Sequence, residues 1–118
     1  MWPMKNPEYH SVWEQRQKEE ERKRQLAIKK AGAVAKILKG KYPAREVILF
    51  GSLIWRPDFL WRGTDIDLIV RGLEDERYFE ILADVSVISR PFHLDLIPFE
   101  KAWPLMEKRA LEEGLRLA

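Results

Sequence analysis

A chain of 118 residues with 46% apolar content suffices for one compact domain with a modest core, and its net charge of +2 is nearly balanced. The absence of cysteine excludes disulfides, thiolate nucleophiles and cysteine-ligated zinc, fits a reducing cytosol, and leaves any metal to oxygen or histidine ligands. No window approaches the roughly 18 apolar residues of a membrane span, and the N-terminus carries no apolar leader. The expectation is a soluble cytoplasmic protein without membrane contact.

Charge is unevenly distributed: residues 1–40 hold ten Lys/Arg against five Asp/Glu, and residues 41–118 hold eleven against fourteen. The sequence divides accordingly into an N-terminal arm with a long helix (1–40) and the body of the domain (41–118). Ser11 and Glu14 form a capping-box pattern, which predicts a helix start at Ser11. The helix is predicted to run to Lys39, with Gly40 as a left-handed stop and Pro43 preventing resumption. Leu26, Ala27, Ala31, Val34, Ile37 and Leu38 recur at helical spacing and predict a buried stripe. The preceding segment, EQRQKEEERKRQ, has no such stripe. It is compatible with a solvated arm, a disordered tail or a partner-binding surface, including a homo-oligomer through the N-terminal helix. Trp2, Tyr9 and Trp13 add large rings to this terminus.

Residues 46–50, EVILF, predict a first strand bounded by Pro43 and Gly51. Gly51-Ser52 predicts a turn into a short helix ending before Pro57. DIDLIVRG predicts a second strand, EDERYFEILADVSVIS a helix with Tyr78, Phe79, Leu82 and Val85 inward, and FHLDLIPF a third strand. Residues 100–117 predict a closing helix with Trp103, Met106, Leu111 and Leu115 inward, limited by Pro104 and Gly114. The fold class is α/β or α+β, a small mixed sheet of about three core strands flanked by helices. The helical crossover makes the second and third strands parallel, and the looser first connection permits antiparallel pairing.

Two carboxylates, Asp65 and Asp67, stand on a strand otherwise suited to a core. Residues i and i+2 share a strand face, so both project together, roughly 6.5 Å apart along the backbone. HLDLIP in the third strand repeats the pattern of DIDLIV, with Asp95 in the place of Asp67. In that parallel register three carboxylates converge. Ionised carboxylates side by side repel, and a hard divalent cation, Mg²⁺ or Mn²⁺, relieves the repulsion. A pair of such ions supports phosphoryl chemistry by lowering the pKa of an attacking hydroxyl and neutralising a triphosphate leaving group. Gly51 allows close backbone approach to phosphate, and the Ser52 hydroxyl adds a donor. Each piece also has an ordinary reading: Gly-Ser as a turn, Asp-x-Asp as a strand-edge feature, His93 as a surface residue, and Arg56 and Arg62 as surface cations rather than phosphate clamps.

In order, an apolar strand, FGS, an interval, DIDLIV, a helix and HLDLIP resemble the minimal nucleotidyltransferase (MNT) family of the DNA polymerase β-like nucleotidyltransferase superfamily, over about residues 34–118. The closing LEEGLRLA is similar to the last helix of such proteins. The resemblance implies a polymerase β palm-like fold and adenylyl or other nucleotidyl transfer from a triphosphate such as ATP. By the same resemblance Gly51 and Ser52 contact the phosphates, Asp65 and Asp67 hold metal, and Asp95 is third ligand and activator of the accepting hydroxyl. Many MNT proteins are antitoxins partnered with HEPN ribonucleases, some of which they inactivate by adenylylating a tyrosine. Twelve residues separate Ser52 from Asp65, more than is usual in the family; Thr64 stands where Ser is common, and Leu53-Ile54 replaces a frequent Arg-Ala. The Arg–His signature of HEPN ribonucleases is absent.

The expected function is Mg²⁺-dependent transfer from ATP to a hydroxyl of a partner protein, with Arg62 as a further phosphate contact. One alternative is a catalytically weak or inactive subunit that neutralises its partner by binding. Another is transfer to a small molecule such as an aminoglycoside antibiotic, which generally requires a second domain. Acids interleave with the bases of the arm, so nucleic-acid binding is not expected.

Overall fold

The computed structural model describes the backbone of residues 7–55 and 65–118, and the side chains of 11–51, 53–54 and 65–118. Its elements are α1 (Pro7–Lys41), β1 (Glu46–Phe50), α2 (Ser52–Trp55), β2 (Asp65–Arg71), α3 (Tyr78–Ser89), β3 (His93–Pro98), α4 (Pro104–Glu113) and β4 (Leu115–Arg116). Short 3₁₀ turns precede α3 at Asp75–Arg77 and α4 at Phe99–Lys101. No helix among the described residues is long and apolar enough to cross a membrane.

The first helix exceeds its predicted limits at both ends. It begins before Ser11, so the capping box lies inside it, and it continues through Gly40 to Lys41. Gly40 adopts no left-handed conformation; the chain leaves the helix at buried Tyr42, next to Pro43. Ala27, Ala31, Val34, Ala35 and Leu38 are fully buried on one face. Leu26 departs from the predicted stripe and is 41% exposed, because it lies around the helix from that face. At 1.5 Å per residue, α1 is about 52 Å long. The described residues accordingly measure 56 × 29 × 19 Å.

A four-stranded sheet of order β3-β2-β1-β4 supports the rest. Strands β2 and β3 are parallel, and β1 is antiparallel to both β2 and β4. The strands alternate: Val47, Leu49, Ile66, Leu68, Val70, Leu94 and Leu96 belong to one buried cluster with the α1 stripe and with Ile81 and Val85 of α3. On the other face a smaller cluster joins Ile48, Phe50 and Ile69 to Phe99 and to Ala110 of α4. Within α3 the inward residues are Ile81, Val85 and Ser89, with Tyr78 and Leu82 partly buried; Phe79, predicted inward, is 81% exposed.

Polar contacts fasten α1 to α3. Tyr42 and Lys41 both donate to the Asp84 carboxylate, at 2.5 and 2.9 Å. The Tyr42 bond first, then the Lys41 bond, hold the Asp84 carboxyl below its usual range. Fully buried Ser89 lies within hydrogen-bond reach of the Ser86 and Phe92 carbonyls, at 3.1 and 3.2 Å. Ser89→Ala removes the donor and leaves a buried carbonyl without it, so a loss of about 1 kcal/mol is expected in urea denaturation.

The C-terminal segment differs from its predicted form. Instead of one helix, Pro104 opens a ten-residue helix that ends at Gly114, and the chain pairs Leu115 and Arg116 with Leu49 and Ile48 of β1. Trp103, Leu111 and Leu115 face solvent, and only Met106 of the four predicted inward residues packs on the core. Gly114 permits this route: a Cβ there would sit 2.5 Å from both the Ala110 carbonyl oxygen and Ile48 Cγ2. Glu46 then pairs with Arg71 and Arg116, at 3.3 and 3.4 Å.

Candidate functional site

Strand alternation explains why carboxylates occupy a core-forming strand. Ile66, Leu68 and Val70 enter the larger core, which turns Asp65, Asp67 and Ile69 to the opposite face. There α4 and Phe99 cover Ile48, Phe50 and Ile69, and the acids lie beyond that cover. Asp67 faces Phe50 across the antiparallel pair and Asp95 across the parallel pair, and Asp65 faces His93. Adjacent strands are about 4.8 Å apart, so Asp67 and Asp95 are lateral neighbours with Asp65 one same-face position away. The predicted parallel register, with Asp67 opposite Asp95, is the one observed.

Asp67 is half-buried, whereas Asp65, His93 and Asp95 are exposed. Burial, then the charges of Asp95 and Asp65, raise the Asp67 carboxyl to about 6. His93 acts in the opposite direction and approaches Asp95 with Nε2 3.4 Å from Oδ1. Among the described residues no Lys or Arg forms an ion pair with Asp65, Asp67 or Asp95. The site is thus an acidic patch whose one basic neighbour among the described residues is His93.

Gly51, directly after β1, has φ +86°, in the left-handed region that favours glycine. A Cβ there would collide with the Asp67 carboxylate. The Gly51 turn and the Asp67 carboxylate are therefore immediate neighbours. The Gly51 carbonyl accepts from the Ile54 amide at 3.0 Å as α2 begins. Because α2 has only four residues, its dipole contributes little to anion binding. Ser52 opens α2, but its side chain, like Arg56 and Arg62, lies outside the described residues.

No protein-family model, curated protein or solved structure matches this chain. The site therefore rests on its own chemistry. Its donors are hard carboxylate oxygens, and a half-buried carboxyl raised by its neighbours is the environment a divalent cation relieves. As positioned, no three or more His, Asp or Glu side chains among the described residues form a group ready to hold a metal. Asp67 and Asp95 are paired across the parallel strands, and Asp65 lies on the same face of β2.

Three further polar features carry no local signal in the sequence. The Tyr78 hydroxyl donates to the Leu96 carbonyl at 2.7 Å, and its pKa is raised by burial and then by Asp95. Arg24 Nε donates to the Leu53 carbonyl at 3.1 Å, tying the middle of α1 to the helix after Gly51. One turn earlier, Glu20 has a carboxylate oxygen buried with no hydrogen-bond partner. All three depend on long-range packing, which leaves no local signal.

Proposed function

We propose that this protein is a Mg²⁺-dependent nucleotidyltransferase that moves an adenylyl group from ATP to a hydroxyl of a partner protein. The observation that carries the reading is the Asp67–Asp95 pair, with Asp65 on the same face, in contact with the Gly51 turn. The ordered resemblance to the MNT family agrees with it, as do the acidic residue types and the absence of a cysteine nucleophile.

Asp65, Asp67 and Asp95 would hold Mg²⁺ or Mn²⁺. When bound, the metal supplies charge neutralisation for a triphosphate and lowers the pKa of an accepting hydroxyl. The turn at Gly51 admits the phosphates close to the backbone, and Ser52 and Arg62 are assigned as further phosphate contacts. Asp95, exposed on the sheet's edge strand, would accept the proton of an incoming hydroxyl. The hydroxyl oxygen attacks the α-phosphorus, the bond to the bridging oxygen breaks, and pyrophosphate leaves. The acceptor comes from outside, and a HEPN-type toxin is the partner the resemblance favours, making this chain the antitoxin of a pair.

Incubation with α-labelled ATP, Mg²⁺ and a HEPN-type partner should label the partner. Chelation of Mg²⁺ or Asp65→Ala/Asp67→Ala should abolish the label. Absence of transfer, or transfer that survives the double substitution, rejects the reading. A partner neutralised without being labelled selects the binding alternative.

A further inference from the structure

The outer part of α1 has no intramolecular cover among the described residues. Every residue from 11 to 19 is exposed, including Val12 and Trp13. A polar helix of this kind is marginal by itself, and the ion pairs Glu20–Lys23 and Glu21–Arg24 each add only a few tenths of a kcal/mol. Acids and bases interleave only in the outer half of α1, and the inner half is purely basic. Residues 7–21 hold five acids (Glu8, Glu14, Glu19, Glu20, Glu21) and two bases (Arg16, Lys18). Residues 22–41 hold eight bases and no acid.

We propose that α1 pairs antiparallel with α1 of a second copy, so that the acidic half of each arm lies along the basic half of the other. The seam is Val12, Gln15, Glu19, Arg22, Leu26 and Lys29, which alternate in steps of three and four and are all exposed. These positions are symmetric about their midpoint, as an isologous two-fold contact requires. Antiparallel register sets Glu19 against Arg22 of the partner subunit, Gln15 against Leu26 of the partner subunit, and Val12 against the aliphatic stem of Lys29 of the partner subunit. Leu26, absent from the core, becomes covered there. The seam lies around the helix from the buried stripe of residues 27–38, and the two bodies fall at opposite ends of the pair. A polyanion such as nucleic acid fits less well, since it attracts only the basic half and is repelled by the acidic one.

Sedimentation at low salt should give twice the 14.0 kDa of one chain, returning toward 14.0 kDa as salt is raised. Glu19→Arg alone and Arg22→Glu alone should each be monomeric, with unchanged circular dichroism showing that the fold is kept. Mixing these two variants should restore the doubled mass, as should the double variant Glu19→Arg/Arg22→Glu. A wild-type chain that is monomeric at every concentration, a dimer indifferent to the single reversals, or a monomer that instead binds heparin or DNA overturns the proposal. None of these outcomes depends on the chemistry of the acidic site.

Discussion

Asp67→Asn should abolish nucleotidyl transfer and at the same time stabilise the metal-free protein at neutral pH. The carboxyl rises from an ordinary 3.8 to about 6 because burial and two neighbouring carboxylates oppose its charge. A raised acid favours the folded state only while it is protonated. Stability is therefore expected to fall as pH climbs from the unfolded value through the folded one, with the full penalty present above pH 6. Discounted for solvent screening of a half-exposed group, the penalty is about 1 kcal/mol. Urea denaturation should find the variant more stable than wild type at about pH 8 and the two alike at about pH 3. Mg²⁺ should raise the midpoint of wild type at the higher pH and leave the variant unmoved. On the proposed reading, transfer should fall by at least about 10²-fold, since the substitution would remove a charged metal ligand. Equal stability at both pH values would contradict the electrostatic account, and a variant that still transfers would contradict the catalytic one.

Gly51→Ala should affect fold and site together. The left-handed backbone costs an alanine roughly 1–2 kcal/mol, and the added methyl would be forced into the Asp67 carboxylate. Either Asp67 rotates away from Asp95 or the turn opens, and both separate the proposed phosphate contact from the acids. A thermal melt should show the stability loss, and transfer in the folded fraction should drop by about 10-fold or more. Gly114→Ala provides the comparison, since its methyl meets Ile48 and the Ala110 carbonyl, away from the acids. It should destabilise while sparing the specific activity of the folded fraction. If the two variants lose activity alike, Gly51 has no special link to the site.

The core of the sheet was legible because its signals are local. EVILF, DIDLIV and HLDLIP are short apolar runs with turn residues at their ends, and the helix between the latter two dictated parallel pairing. Matching the flanks of Asp67 and Asp95 then placed the two acids in one row. The end of α1 was misread because a glycine three residues before a proline looks like a stop, yet Leu38, Tyr42 and Ala44 pack on the sheet and carry the helix past Gly40. The end of the chain was misread because two residues of strand carry no periodicity. Helical spacing placed Trp103, Leu111 and Leu115 inward, but α4 covers only the small Ile48–Phe50–Ile69 patch, which Ala110 and Met106 suffice to fill.

By itself, then, the sequence determined which residues alternate across the sheet and which carboxylates share its exposed face, since a period of two leaves them no other place. Only the tertiary structure decided that Asp67 is half-buried with its carboxyl raised to about 6, that Gly51 abuts it, and that Arg24 reaches α2. These depend on how far α4 extends over the sheet, on the path of the turn after β1, and on the angle at which α1 crosses the core. Such quantities arise from packing between segments distant in the chain, and no short stretch of residues encodes them.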